Sequence, residues 1–379
     1  MKRVSLIGCT GSIGTQSIDV ARSRGFHISA LAANTNYKLV EKQAREFMPS
    51  VVAMFDEQAA KELRIALADT RIKVLSGSDG VEEAASYDTD IVVNGVVGIA
   101  GLKPTLAAVE AGHTLALANK ESLVCAGEIV INRIKDKGVK ILPVDSEHSA
   151  VFQCMAHHSY DEVERIILTA SGGPFYSFSA EQLEFVTPEQ ALKHPSWNMG
   201  SKITIDSATM MNKGFELMEA KYLFGAEPDR LGYVVHRESI VHSMVQFKDG
   251  ALMAQLSPPD MRLPIVYALD YPVRYENTLK RFDPCSAPIV FLPPKKDLFP
   301  APELCLKALE IGGNAGAIIN GANEAAIALF LNKKIKFTDI VMYCSEALEC
   351  IEHIDDPDLN DIFETDKKAR SFVNNKVVN

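Results

Sequence analysis

Short apolar runs and amphipathic stretches alternate along the first part of the chain. Val4 to Ile7, His27 to Ala33, Val51 to Met54, Lys73 to Leu75, Ile91 to Asn94, Thr114 to Ala118 and Val139 to Leu142 read as buried strands. Helical spacing fills the intervals, as in Pro104 to Ala111, with proline in its first turn and Gly112 at its end. Strand and helix in strict alternation predict a mostly parallel sheet covered on both faces. Beyond residue 150 the pattern changes. Arg165 to Ala170 and Lys202 to Asp206 read as strands, and Ser207 to Glu219 reads as a helix. Tyr233 to His236 and Ser239 to Phe247 follow as strands, with Lys248-Asp249-Gly250 turning a hairpin into Ala251 to Leu256. That antiparallel patch offers an edge able to pair with a second copy of the chain.

Residues 271 to 302 hold seven of the eighteen prolines and predict an extended linker without a helix. Helical periodicity returns in Pro302 to Ile311, Asn323 to Leu331, Thr338 to Ile351 and Glu364 to Asn374. The expected organisation is an α/β protein in four parts. Residues 1–147 form a Rossmann-like nucleotide-binding domain, and 148–270 an α/β catalytic and dimerisation domain with a lid loop. The proline-rich linker is 271–301, and a C-terminal helical domain spans 302–379.

Composition narrows the class. With 379 residues, 47% hydrophobic and 23% charged, the chain has an ordinary globular make-up and several cores' worth of length. A formal charge of −10 argues against nonspecific nucleic-acid binding. Seven cysteines without a C-x-x-C spacing fit reduced thiols and a cytoplasmic location, and offer no zinc site. Met1 leads almost directly into the first strand, which leaves no room for a targeting segment, and no apolar stretch reaches bilayer length, so no membrane partner is expected.

Three stretches carry candidate chemistry. Gly8-Cys9-Thr10-Gly11-Ser12-Ile13-Gly14 lies between a strand and a helix, the context of a dinucleotide fingerprint, although its spacing is G-x-x-G-x-x-G. There the backbone can approach a pyrophosphate at a helix N-terminus. Strand two ends in Asn34-Thr35-Asn36 with no acidic residue to hold a ribose 2′-hydroxyl, which favours NADP over NAD. The second stretch is Asp145-Ser146-Glu147-His148, also at a strand-to-helix turn. Two carboxylates two residues apart suit a hard divalent ion; the same residues would serve equally as a helix cap. Third, on a helix through Ser207, residues Asn212, Glu216 and Glu219 share a face, with Lys213 alongside. Hydroxyl, amide and ammonium near a helix start suit a phosphate dianion, whereas a plain amphipathic helix would show the same spacing. Ala118-Asn119-Lys120-Glu121-Ser122, Ser171-Gly172-Gly173-Pro174 and His194-Pro195-Ser196-Trp197-Asn198-Met199-Gly200 are further loops of interest, the last holding the single Trp as packing anchor or lid.

Taken together, these runs resemble the 1-deoxy-D-xylulose 5-phosphate reductoisomerase family of the non-mevalonate isoprenoid pathway over essentially the whole chain. The resemblance implies an NADPH- and divalent-metal-dependent enzyme (Mg²⁺, Mn²⁺ or Co²⁺), acting on a phosphosugar as a homodimer. It implies Gly8, Thr10, Gly11, Ser12 and Ile13 around the NADPH pyrophosphate, Asn34 and Asn36 near the adenosine phosphate, and Asn119, Glu121, Met199 and Gly200 also at the cofactor. Asp145, Glu147 and Glu216 would bind the metal. Lys120, Ser146, Glu147, Ser171, His194, Trp197, Ser207, Asn212, Lys213 and Glu216 would contact the substrate, with Lys120, Glu147, His194 and His236 as catalytic candidates. The chain departs from the family at Asn34-Thr35, where Gly and a basic residue are common, and at Arg237-Glu238, where Pro-Gln is common and little effect is expected. Other readings are a metal-independent NADP dehydrogenase of a small phosphorylated substrate and a non-catalytic NADPH-binding protein.

Overall fold

The computed structural model describes residues 2–193, 197, 199–286 and 288–377, which divide into two compact units. The first comprises residues 1–122, 130–149 and 260–279, the second 123–129, 150–259 and 280–379.

The first unit is built on seven strands: β1 (Arg3–Ile7), β2 (His27–Ala33), β3 (Val51–Met54), β4 (Lys73–Ser76), β5 (Ile91–Asn94), β6 (Thr114–Leu117) and β7 (Ile141–Pro143). They lie in the order β4-β3-β2-β1-β5-β6-β7, each pair parallel. Their apolar runs are continuous because helices cover both faces of a parallel sheet. Val4, Leu31, Val52, Val92 and Leu115 are accordingly buried. The chain reverses its direction of travel across the sheet between β1 and β5, and this switch point opens the crevice in which such folds bind ligands. Helix Arg262–Asp270 returns to this unit and packs on helix Ser12–Arg24. Arg24 seals that contact with a 2.9 Å ion pair to buried Asp270. The boundary expected at residue 270 therefore moves: 260–279 belongs with the nucleotide-binding fold.

The second unit holds a mixed sheet of β8 (Val163–Ala170), β9 (Leu231–Val235), β10 (Val241–Phe247) and β11 (Leu252–Leu256), ordered β11-β10-β8-β9. β8 and β9 are parallel, and the other pairs antiparallel. Four helices, Ala301–Ile311, Ala315–Leu331, Asp339–Cys350 and Leu359–Asn375, follow a stretch with no helix among its described residues. They do not enclose a separate core. Ile318, Phe330 and Ile340 share one apolar cluster with Ile166 and Leu168 of the sheet, so the helical C-terminus and the expected catalytic domain are one folded body.

One element is corrected outright. Residues Lys202 to Asp206, expected as a strand, lie in helix Ser201–Ala208. Its β-branched Ile203, Thr204 and Ile205 favour strand in isolation. An i,i+4 ion pair, Lys202 to Asp206 at 3.0 Å, and the Thr204 hydroxyl donating to the Gly200 carbonyl at 2.8 Å satisfy the helix instead. Met210, at φ 64°, then breaks the chain before helix Met211–Phe224. Ser207 thus closes one helix rather than opening the next. Among the described residues no helix is long and apolar enough to cross a membrane.

Candidate active site

In the first unit the glycine loop follows β1 directly. Gly8 has φ 89°, and a Cβ there would stand 2.8 Å from the Gly95 backbone after β5. Gly14 faces the Gly8 carbonyl and the Cys9 backbone so closely that a side-chain carbon would overlap both. The two turns at the switch point therefore touch backbone to backbone, which only glycine permits. Helix Ser12–Arg24 starts there with Gly11 as its cap, no capping side chain and no acid in its first turn. Its first N–H groups, flanked by Thr10, Ser12 and Ile13, are arranged for an anion. Asn34 and Asn36 are exposed at the end of β2, and Asn36 accepts from Leu39 N as the cap of helix Tyr37–Phe47.

Behind the second turn lies a buried polar lattice. Asn94 Nδ2 donates to Gly101 O and Thr105 Oγ1, both at 2.8 Å. Asn119 Nδ2 reaches Val96 O at 2.8 Å, Gly98 O at 2.9 Å and Glu121 Oε2 at 2.9 Å. Asn119 and Glu121 thus hold that turn in shape with their own amide and carboxylate. Lys120 is buried, and its ammonium pairs with the Asp145 carboxylate beyond β7. This is not the solvated surface pair that adjacent Lys and Glu usually form. Ser146 donates to Glu147, and His148 and Ser149 are fully buried behind them. Asp145, Glu147 and Lys120 therefore form one charged corner at the carboxyl edge of the parallel sheet.

In the second unit, Ser171-Gly172-Gly173 turns the chain away from β8. Gly172 and Gly173 have φ 75° and 66°, and a Cβ on Gly173 would stand 2.7 Å from the Ser207 carbonyl. That contact brings the Ser171 turn beside Ser207. On helix Met211–Phe224, Asn212 and Lys213 both donate to the Glu216 carboxylate, and Lys213, Glu216 and Glu219 are buried. The polar face is thus an enclosed charge cluster rather than a wet helix surface. Below it, the Asn323 amide donates to Asp206 at 2.7 Å, bracing the Lys202–Asp206 pair. Sequence reasoning missed Asn323 and Asp206, which lie 117 residues apart, and no local signal links them.

His236 is completely buried, with both ring nitrogens engaged: Nδ1 lies 2.9 Å from the Val290 carbonyl, and Nε2 accepts from Ile240 N at 3.1 Å. This fixes the Nδ1–H tautomer. His242 is held by Ser257 Oγ at 2.9 Å and met edge-on by the Trp197 ring at a centroid distance of 6.3 Å. Burial pushes its imidazole down to about 4, so it is neutral near pH 7. Met199 is half-buried and Gly200 caps helix Ser201–Ala208; His194 lies outside the described residues.

Residues 4–127 match the family described as 1-deoxy-D-xylulose 5-phosphate reductoisomerase, 141–224 its C-terminal domain, and 256–372 the DXP reductoisomerase C-terminal domain. The chain is 48% identical to the 1-deoxy-D-xylulose 5-phosphate reductoisomerase of Agathobacter rectalis, covering 99% of this chain and 100% of that protein. Among solved structures, it is 40% identical to the reductoisomerase of Zymomonas mobilis in complex with NADPH, with 99% of each chain covered and a TM-score of 0.93. A DOX-P reductoisomerase in complex with NADPH, fosmidomycin and magnesium is 37% identical, with 100% and 98% covered and a TM-score of 0.94.

Proposed function

The chain belongs to the 1-deoxy-D-xylulose 5-phosphate reductoisomerase family, and from that premise we infer how its own residues serve the reaction. It is an NADPH- and divalent-metal-dependent enzyme that converts 1-deoxy-D-xylulose 5-phosphate to 2-C-methyl-D-erythritol 4-phosphate. The ketose phosphate is rearranged at its carbon skeleton to a branched aldehyde phosphate, which is then reduced. When bound, the nicotinamide supplies the hydride and the divalent ion supplies Lewis-acid polarisation of the substrate's oxygens.

Gly8, Thr10, Gly11, Ser12 and Ile13 hold the pyrophosphate through backbone N–H groups at an uncapped helix start. The neutral Asn34 and Asn36 take the adenosine phosphate. Asn119, Glu121, Met199 and Gly200 shape the nicotinamide end. Asp145, Glu147 and Glu216 are the proposed metal ligands. The donor set fits: all are carboxylates, which suit Mg²⁺ or Mn²⁺. Two of them already sit in ion pairs, Asp145 with Lys120 and Glu216 with Lys213. Lys120 and Glu147 are the groups proposed to handle protons at the substrate hydroxyls, and His194 remains a catalytic candidate from the sequence. His236, with both nitrogens occupied, shapes the pocket wall rather than exchanging a proton. Ser171, Ser207, Asn212 and Lys213 grip the phosphate, and Ser146 a sugar hydroxyl. Binding energy from that remote phosphate is available to align the reacting carbons and to close Trp197 over them, excluding water.

The protein is proposed to act as a homodimer, a reading supported by exposed Leu252, Met253 and Leu256 on edge strand β11. A reducing, cytoplasmic location is supported by seven free thiols.

The pair of buried Lys120 with half-buried Asp145, beside Glu147, is the observation that carries the metal site. The test is NADPH oxidation with 1-deoxy-D-xylulose 5-phosphate, with Mg²⁺ and again with excess chelator. Chelation is expected to abolish turnover, and Glu216→Gln to lower kcat at least about 100-fold while NADPH still binds. Oxidation indifferent to chelator would leave a metal-independent dehydrogenase.

A further inference from the structure

We propose that Arg237 is a positioning residue of the substrate-phosphate site, bracing the Ser171-Gly172-Gly173 turn so that it meets a phosphate with its hydroxyl and not its carbonyls. The inference rests on the reading of Ser171 as a phosphate contact. It also revises the expectation that Arg237 has little effect.

β8 and β9 are adjacent and parallel, so Ser171 after β8 and Arg237 after β9 emerge at the same sheet edge. His236 N donates to Ala170 O at 2.7 Å and continues the ladder up to the arginine. Arg237 Nη1 then donates to two carbonyls of the turn, Ser171 O at 3.0 Å and Gly173 O at 2.7 Å. Its guanidinium lies 5.8 Å from the centroid of the Tyr176 ring, and Tyr176 is anchored by its hydroxyl donating to Pro293 O at 2.8 Å. The neighbouring Glu238 has its carboxylate 3.1 Å from His236 Nδ1.

Two successive glycines with positive φ make a turn with many accessible conformations, and a site built on it needs an external brace. A carbonyl oxygen turned toward a phosphate dianion repels it. Held by a guanidinium, those lone pairs are satisfied and the charge behind the turn is positive. Within the turn, Ser171 Oγ accepts from Gly173 N at 3.2 Å. In the proposed reading the Ser171 hydroxyl donates to the phosphate.

Steady-state kinetics on the full-length Mg²⁺-loaded enzyme test this with R237Q, R237K, S171A and the double variant S171A/R237Q. R237Q is expected to raise KM for 1-deoxy-D-xylulose 5-phosphate about tenfold, changing kcat less than about threefold and leaving NADPH affinity intact. R237K, which keeps a multi-donor cation, is expected to recover most of that loss. The double variant should be no worse than the poorer single, because both changes disable one device. A normal KM in R237Q, or effects that multiply in the double variant, would overturn the role of Arg237 and leave Ser171 standing. A normal KM in S171A would remove Ser171 from the phosphate site, and the inference with it. If R237Q does not fold, R237K decides: a KM as high as that of S171A would show that a cation donating at this position does not brace the turn.

Discussion

His242 shows how burial sets the behaviour of one residue. Enclosed by the sheet and bonded to Ser257, it carries an imidazole held down at about 4, mainly by desolvation of its charged form. In the unfolded chain the same group takes up a proton near pH 6.5. Above that pH both states are neutral and the residue adds no pH dependence. Between about 6.5 and 4 the unfolded state binds the proton first, so stability falls with falling pH. Unfolding in urea at pH 7 and at pH 4.5 is expected to show roughly 2–3 kcal/mol lost to this group. His242→Gln should flatten that part of the profile, and an unchanged slope would locate the acid sensitivity elsewhere. Lys120 and Glu216 make a related point: lysine and glutamate are seldom buried unless paired, and each has its partner.

At the scale of elements, the glycine loop and the start of helix Ser12–Arg24 form one unit of chemistry. Gly14 cannot take a side chain without displacing the Gly8 carbonyl, whereas Gly25 at the other end of the helix has open space around it. Gly14→Ala is therefore expected to weaken NADPH binding by about tenfold or more and to cost roughly 1–3 kcal/mol. Gly25→Ala, strained only by its φ of 64°, should cost about 1 kcal/mol and leave NADPH affinity alone. Titration of nucleotide fluorescence and thermal unfolding read both; equal losses of affinity would mean the loop does not carry the cofactor. The strands of the parallel sheet were legible because burial on both faces writes itself as an unbroken apolar run. Helix Ser201–Ala208 was not: Ile203, Thr204 and Ile205 speak for a strand, and the helix is held by the Lys202–Asp206 pair and by Asn323 from a distant element.

For the whole molecule, the exposed apolar side chains of β11 predict self-association. Sedimentation velocity is expected to show a dimer, and Leu252→Glu with Met253→Lys a monomer. A wild-type monomer would remove the edge strand from that role. The division into two units also follows from contacts made late in the chain. Arg24 and Asp270 tie residues 246 positions apart, and the C-terminal helices complete a core begun by β8. The sequence by itself determined the parallel nucleotide-binding sheet, the glycine loop and the candidate carboxylates, because strand runs and turn glycines are local and periodic. Tertiary structure alone decided which charges are buried together and which backbone Arg237 braces. It alone returned residues 260–279 to the first unit, since such pairings join distant positions whose local patterns carry no record of one another.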